Sequence, residues 1–273
     1  MNKTGIDVSV YQGNIDWERV KATGIDFAII RCGYGSDIAK QDDSKFKRNA
    51  DECTRLGIPF GVYLYSYAYT IEKAVSEAEH VLRLIKGYKL SYPVFYDLED
   101  VNTTQKCSAK AIADIAEKFC DIICDAGFYF AVYANKYWFE SVLTDKRFGS
   151  WDRWVAQYND KLTYEEEHTM WQYTSQGRVD GIEGKVDMNY CYVDYPAKIS
   201  GNIAPAQPDE PAQDTDEVYI VKSGDTLSEI AERYHMDYKL LAAYNNIANP
   251  DLIYPGQTIR VKGGKKVANY FIY

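Results

Sequence analysis

Short apolar runs alternate with segments of helical periodicity over the first half of this 273-residue chain. The apolar runs are rich in β-branched and aromatic residues and predict strands. They lie at residues 4–10, 26–32, 58–67, 92–98 and 128–133. Between them, apolar residues recur every three or four positions, most clearly over 74–85 and over 112–123, where Ser108 is the expected N-cap. Strand–helix units joined by short loops indicate parallel strands with helices packed outside them.

The pattern changes after residue 150. Three further strands are predicted at residues 153–158, 169–174 and 185–192, but no long helical stripe fits between them. We therefore expect an α/β fold, a barrel that begins as (β/α) units and closes with three strands that lack long helices. A closed barrel is favoured over an open sheet because the strands continue through the whole region. Active sites of such barrels lie at the carboxyl ends of the strands.

Composition narrows the classes of partner. A net charge of −9 argues against nucleic acid, and no apolar run is long enough for membrane insertion. The first residues contain no apolar signal core, so no signal peptide is expected. The six cysteines match no zinc pattern, so we expect reduced thiols, no metal and no cofactor.

Two carboxylates mark the end of the fourth predicted strand. Asp97 and Glu99 are two positions apart, so on a strand they point the same way with Cβ atoms roughly 6–7 Å apart. Neighbouring carboxylates repel each other and separate their pKa values, as glycoside hydrolysis requires. The alternative is a strand end with two solvated acids and a helix cap, which the pair alone does not exclude.

Two more acids are predicted at strand ends. Asp7 lies near the end of the first strand and Asp187 on the last. These strands are neighbours in a closed barrel, so we expect the two side chains to lie close together. Tyr65 is at the end of the third strand. Taken one at a time, the acids can be turn or loop residues and the tyrosine a core residue, but four acids converging on one barrel face favour a site.

The ordered set of motifs in this region resembles glycoside hydrolase family 25, the lysozymes of the Chalaropsis and Cellosyl type. The resemblance covers roughly residues 4–196. It is carried by Asp7-Val8-Ser9, Tyr11-Gln12-Gly13, Ile15-Asp16-Trp17, Gly61-Val62-Tyr63, Tyr65-Ser66-Tyr67-Ala68, Asp97-Leu98-Glu99, Trp171-Gln172-Tyr173 and Asp187. It implies a flattened barrel and cleavage of the β-1,4 bond between N-acetylmuramic acid and N-acetylglucosamine in peptidoglycan.

The resemblance also assigns roles to residues. Glu99 is implied as the general acid, Asp97 as the carboxylate that orients the substrate's own N-acetyl group as nucleophile, and Asp7 and Asp187 as flanking acids. This mechanism retains configuration, although the strand spacing alone leaves retention and inversion open. The aromatic and amide side chains expected to line the cleft are Tyr65, Tyr133, Trp171 and Gln172, with ordinary barrel packing as the equal alternative for each.

Two other functions fit part of the sequence, a chitinase and a catalytically dead wall-binding protein. Chitinases of family 18 also end a barrel strand in Asp-x-Glu but carry a further Asp two residues earlier, where this chain has Phe95. A catalytically dead wall-binding protein is the other alternative, and the intact pair of Asp97 and Glu99 argues against it.

The end of the chain predicts a second domain. We expect a barrel domain at 1–198, a Pro-rich linker at 199–217, a small α+β (βααβ) domain at 218–262 and an apolar tail at 263–273. The small domain closely resembles a LysM module, which implies binding of N-acetylglucosamine-containing glycans between its first turn and the loop before its last strand. The residues at these places are Gly224, Asp225, Thr226, Leu227, Pro250, Asp251, Leu252 and Ile253.

Together these features predict a peptidoglycan hydrolase tethered to the wall by one LysM module. The expected partner is bacterial peptidoglycan. The absent signal core fits a phage or prophage endolysin that stays in the host cytoplasm until released through a pore and then acts on the cell wall. It also fits an autolysin that is exported by an unusual route.

Overall fold

The structure is a computed structural model that describes residues 2–202, 217–234, 238, 241, 242, 245, 247 and 249–261. It divides into two compact units, residues 1–205 and 206–273, which are described separately. The apolar tail, most of the predicted linker and most of the second predicted helix of the small domain lie outside the described residues.

The first unit contains the eight predicted strands, each within a few residues of its expected position. They are β1 (Lys3–Val8), β2 (Phe27–Tyr34), β3 (Phe60–Tyr65), β4 (Val94–Asp97), β5 (Phe130–Asn135), β6 (Asp152–Ala156), β7 (Met170–Gly177) and β8 (Val186–Cys191). The helices are α1 (Trp17–Ala22), α2 (Phe46–Leu56), α3 (Ile71–Ile85), α4 (Ala109–Asp125), α5 (Lys136–Ser141) and α6 (Tyr195–Asn202). The predicted N-cap is confirmed, because the Ser108 side chain accepts a hydrogen bond from the Ala111 amide at 3.2 Å.

The strands form a closed barrel in sequence order. The first seven strands, β1 to β7, are parallel to one another. The last strand, β8, runs antiparallel to both β7 and β1. Residues 150–194 are all described and contain no α-helix. The prediction of a barrel that closes with three strands without long helices is therefore confirmed.

The barrel is filled from one end and open at the other. Its interior contains packed aromatic rings, with Phe95 and Trp154 at a centroid distance of 4.9 Å. Tyr195 of α6 contacts this core near the amino ends of the strands, where its hydroxyl lies 2.6 Å from Thr169 Oγ1. The opposite end, at the carboxyl ends of the strands, is therefore the end available for a site.

The second unit is a small α+β domain. β9 (Glu217–Ile220) pairs antiparallel with β10 (Thr258–Val261), and α7 (Leu227–Arg233) begins at a capping box between Thr226 and Glu229. Leu227, Ile230 and Ile259 form its core with neighbouring apolar residues. Among the described residues of the chain, no helix has the length and apolar character needed to cross a membrane.

Candidate active site

A pocket of about 260 Å³ opens at the carboxyl ends of the strands. It contains the four predicted acids and three of the four predicted cleft residues. Its lining is Asp7, Ser9, Tyr11, Gln12, Arg31, Tyr63, Tyr65, Asp97, Glu99, Tyr133, Trp154, Tyr158, Gln172 and Asp187. Larger surface pockets exist elsewhere, but the acids that line them are exposed or partly exposed, whereas Asp7 and Asp97 are buried.

Asp97 is the most enclosed acid of the predicted pair. It is the last residue of β4 and is 3% exposed. Burial, followed by the charges of Glu99 and Asp7, raises the pKa of Asp97 well above its usual range, and Arg31 opposes the rise. Asp97 Oδ1 is buried and has no hydrogen-bond partner among the described residues. A buried carboxyl oxygen without a hydrogen-bond partner is energetically unfavourable, so a donor that enters the pocket would be bound favourably at this atom.

Glu99 lies in the loop just after β4 and is more open than Asp97. Burial also raises the pKa of Glu99, with Asp187 contributing, while a hydrogen bond with Asn135 limits the rise. The two acids are close enough to affect each other's charge, and they therefore titrate as a pair that retains a proton to higher pH than isolated carboxyls.

Asp7 is fixed by two amides. Gln172 Nε2 and Asn189 Nδ2 each donate to Asp7 Oδ2 at 2.8 Å. Burial, followed by the charge of Asp187, raises the pKa of Asp7 to about 8, although both amide hydrogen bonds favour the ionised form. The pKa of Asp187 is also raised by burial, while its hydrogen bond with Asp7 lowers it. Asp7 therefore carries a proton at neutral pH.

Gln172 is held by three hydrogen bonds within the protein, which the sequence did not predict. Its Nε2 is bound to Asp7, and its Oε1 accepts hydrogen bonds from Tyr133 at 2.9 Å and Tyr158 at 3.0 Å. Both ends of the amide are engaged, so Gln172 is better placed to orient Asp7 and the two tyrosines than to receive a sugar amide.

The expectation that Trp171 lines this cleft is wrong for this pocket. Successive residues on a strand point to opposite faces, so Gln172 faces the barrel interior and Trp171 the outside. Trp171 Nε1 donates to the Gln157 carbonyl oxygen at 2.8 Å, and the ring borders a different groove.

Several site residues were missed by the sequence analysis. Arg31 donates from Nε to Asp43 Oδ2 at 2.8 Å, and its guanidinium lies 5.1 Å from the centre of the Tyr11 ring. Asn189 receives a hydrogen bond from Trp154 Nε1 at 2.8 Å and holds Asp7. Alternation along β8 was the available signal for Asn189, because it is two positions from Asp187. In the described part of the chain, no cluster of His, Cys, Asp or Glu has a metal-site arrangement.

In the small domain, backbone hydrogen bonds join the segments that flank the predicted turn and loop. Gly256 donates to Val221 at 2.7 Å and Val221 donates to Gln257 at 2.9 Å. Gly224 has a φ of 93°, which favours glycine, and Leu252 is 52% exposed. The prediction that the Leu227 side chain contacts a glycan is wrong. Leu227 is 1% exposed, and its side chain belongs to the core of the small domain.

Other predicted small-domain residues are exposed or partly exposed. Asp225 has a structural task as well, because its Oδ2 accepts hydrogen bonds from the Lys222 amide and the Tyr219 hydroxyl, both at 2.8 Å. The remaining residues are Thr226, Pro250, Asp251 and Ile253.

Comparison with known proteins agrees with this fold. Residues 6–182 match glycosyl hydrolases family 25, and residues 219–262 match the LysM domain. The autolytic lysozyme of Clostridium acetobutylicum is 28% identical over 186 residues, which are 68% of this chain and 54% of that protein. The chain therefore spans about half the length of this relative.

Two solved structures show the same architecture. The modular autolysin LytC of Streptococcus pneumoniae is 33% identical with a TM-score of 0.64, over 70% of this chain and 47% of that one. The CTP1L endolysin is 26% identical with a TM-score of 0.63, over 74% and 70% of the two chains.

A barrel of this architecture, with acids where the carboxyl ends of its parallel strands meet, is the fold of a glycoside hydrolase. Because the family match covers well over half of the chain, this protein belongs to glycosyl hydrolases family 25, and it carries a LysM domain after the barrel.

Proposed function

We propose that this protein is an N-acetylmuramidase that cleaves the β-1,4 bond between N-acetylmuramic acid and N-acetylglucosamine with retention of configuration. The observation that supports it best is the buried Asp97 Oδ1, which lacks a donor and lies in the same pocket as Glu99. The N–H of a 2-acetamido sugar is a donor of the required kind. Both sugars of peptidoglycan carry this group.

Glu99 supplies the proton in the first step. It donates to the glycosidic oxygen as the bond between that oxygen and the anomeric carbon breaks. The carbonyl oxygen of the 2-acetamido group then bonds to the anomeric carbon, and the resulting oxazolinium ring keeps its N–H on Asp97 Oδ1. The positive charge of this ring favours the ionised form of Asp97 and opposes the burial that raises its pKa.

Water completes the reaction. A water molecule loses a proton to the Glu99 carboxylate and attacks the anomeric carbon, and the ring reopens to the acetamide. Two inversions at one carbon give net retention. Asp7 and Asp187 border this position, and we propose that Asp187 helps keep Glu99 protonated, since its charge raises the pKa of Glu99.

A chitinase of family 18 type fits this site less well. The residue two positions before Asp97 is Phe95, which is fully buried and packs against Trp154 and Tyr195. The position at which such a chitinase carries its third carboxylate is therefore occupied here by a buried phenylalanine ring.

The LysM domain extends the proposal to the cell wall. We propose barrel, linker and LysM boundaries at 1–198, 199–217 and 218–262, with the module holding the barrel on N-acetylglucosamine-containing glycans. An autolytic lysozyme, an autolysin and an endolysin are among its relatives and structural neighbours. Of these roles we propose the phage or prophage endolysin, which is held in the host cytoplasm and reaches the wall through a pore.

Digestion of purified peptidoglycan tests the reaction. Mass spectrometry should find N-acetylmuramic acid at the new reducing ends, and a parallel sample of chitin should be cut far more slowly. New N-acetylglucosamine reducing ends, or faster cleavage of chitin, would refute the assigned bond. No cleavage by wild-type protein that still binds walls would support the wall-binding alternative.

A further inference from the structure

Three aromatic rings form a surface on the outward face of β7 and β8. Tyr173 and Tyr190 are stacked at a centroid distance of 4.4 Å and an angle of 17°, and Trp171 lies 5.8 Å from each. We call these three residues the aromatic shelf. The shelf borders a groove of about 620 Å³, whose other lining residues are Tyr158, Asn159, Asp160, Thr174 and Gln176.

Two of the three rings, Tyr173 and Tyr190, are partly exposed because the helical layer ends before them, whereas Trp171 is only 7% exposed. On β4, the outward-facing Tyr96 stacks on Phe119 of α4 at 3.9 Å and is fully buried. Residues 150–194, all of which are described, contain no α-helix that could cover β7 and β8 in this way. Tyr173 and Tyr190 are consequently only partly buried and present ring surface to the groove.

Tyr158 connects the groove to the catalytic pocket. Its ring lines both, its hydroxyl donates to Gln172 Oε1 at 3.0 Å, and the residue is 55% exposed. The catalytic pocket, at about 260 Å³, is small even for an ordinary ligand site of about 300–1,000 Å³. A polymeric substrate must therefore lie mostly outside it, and the groove meets the pocket at Tyr158, which lines both.

We propose that the aromatic shelf is a second glycan-binding surface, on which the sugars of the bound strand stack beyond the catalytic pocket. This rests on the proposed function, since it takes a peptidoglycan glycan strand as the ligand. Flat amphipathic rings bind the apolar faces of sugars, while Asn159, Thr174 and Gln176 offer partners for hydroxyl and acetamido groups. The shelf thus selects long strands over short fragments.

The test compares strand lengths with the full chain. Peptide-free muramyl glycans are supplied as a tetrasaccharide and as long strands, and kcat/KM is measured on each. Tyr173→Ala should lower the long-to-short ratio of kcat/KM about three- to tenfold, the size of one lost aromatic contact. Tyr173→Phe should retain the wild-type ratio. Tyr137→Ala removes an exposed tyrosine outside both pockets and should also leave the ratio unchanged.

A binding measurement separates this proposal from the proposed function. Calorimetry with Glu99→Gln protein should show weaker binding of long strands when Tyr173→Ala is added, whether or not the wild type cleaves them. Tyr173→Leu, which fills the space without a flat ring, replaces Tyr173→Ala if that variant fails to fold. Equal losses on both lengths, unchanged binding, or a loss confined to strands that keep their stem peptides would overturn the proposal.

Discussion

Asp7 and Asp187 lie directly opposite each other where β1 pairs with β8, the two strands that close the barrel. The first and last strands of the catalytic unit therefore meet in the site and place two acids side by side. Burial and this neighbour raise the pKa of Asp7 to about 8. Protonated Asp7 can donate to Asp187 while it accepts from Gln172 and Asn189.

Because burial and Asp187 raise the pKa of Asp7, we expect Asp7→Asn to stabilise the fold. The folded-state pKa of Asp7 is above its unfolded value, so its stability contribution is complete below about pH 4 and is lost as pH rises through about 8. Asparagine keeps the shape of the protonated acid and does not titrate. The melting temperature of Asp7→Asn should therefore exceed that of wild type by an amount that grows between pH 4 and pH 9, by roughly 2–4 °C for each kcal/mol.

A matched variant checks the cause of this stabilisation. Asp125 is exposed at the end of α4, and Asp125→Asn should show no difference from wild type that grows with pH. A flat difference between Asp7→Asn and wild type across this range would contradict the raised pKa.

Glu99→Gln should abolish wall lysis while leaving wall binding intact. The amide preserves shape but cannot donate the proton, and loss of a positioned acid lowers rates by about 10²–10⁴-fold. Turbidity of wall suspensions measures lysis, and sedimentation with walls measures binding. Glu183→Gln, at an exposed position of the β7–β8 connection, serves as the control. Retention of most activity by Glu99→Gln would exclude Glu99 as the acid.

Asp97→Asn should be severely impaired, because the neutral amide stabilises the oxazolinium ring poorly. The stereochemistry of the wild-type product gives an independent check on the same mechanism. Nuclear magnetic resonance of fresh hydrolysate should show the β-anomer first. An initial α-anomer would mean inversion, with Asp97 acting as a base on water.

Removal of residues 203–273 should separate cutting from wall attachment. The barrel has its own core and pocket, so the shortened chain should cleave soluble glycans at the wild-type rate. On intact walls it should be slower at low enzyme concentration, because a flexible tether no longer raises local concentration to the order of millimolar. Equal activity of the full and shortened chains on walls at every concentration would contradict the proposal that the LysM domain holds the barrel on the wall.

The strands and the acids were predictable because each depends on a short stretch of sequence. Apolar runs located all eight strands, and strand ends located the four acids: Asp7, Asp97 and Glu99 near carboxyl ends, and Asp187 near the amino end of the antiparallel β8. Trp171 was misplaced because strands flanked by apolar residues on both faces do not show which face is inside. Leu227 was misplaced because a turn motif does not distinguish a core side chain from a surface one.

The contacts that orient the site could not be predicted, since they join distant parts of the chain. Asn189 and Asp7 are 182 positions apart, and Gln172 and Asp7 are 165 apart. The buried Glu77 is similar in kind. It accepts hydrogen bonds from the Ser66 hydroxyl and the Tyr67 amide at 2.8 Å and from the Tyr96 hydroxyl at 2.5 Å, and so ties α3 to the ends of β3 and β4. Its position on an amphipathic helix gave no sign of these partners.

The pairing of β1 with β8 joins the first strand of the barrel to its last, so the pocket depends on both ends of the catalytic unit. Chains grow from the amino terminus, and Asp7 and Glu99 emerge long before Gln172, Asp187 and Asn189. A ribosome-bound chain that ends before β8 has an open sheet edge and lacks one wall of the pocket. We therefore expect the pocket to be complete only after nearly the whole barrel has been translated, because Asp187 and Asn189 lie on the strand that closes it.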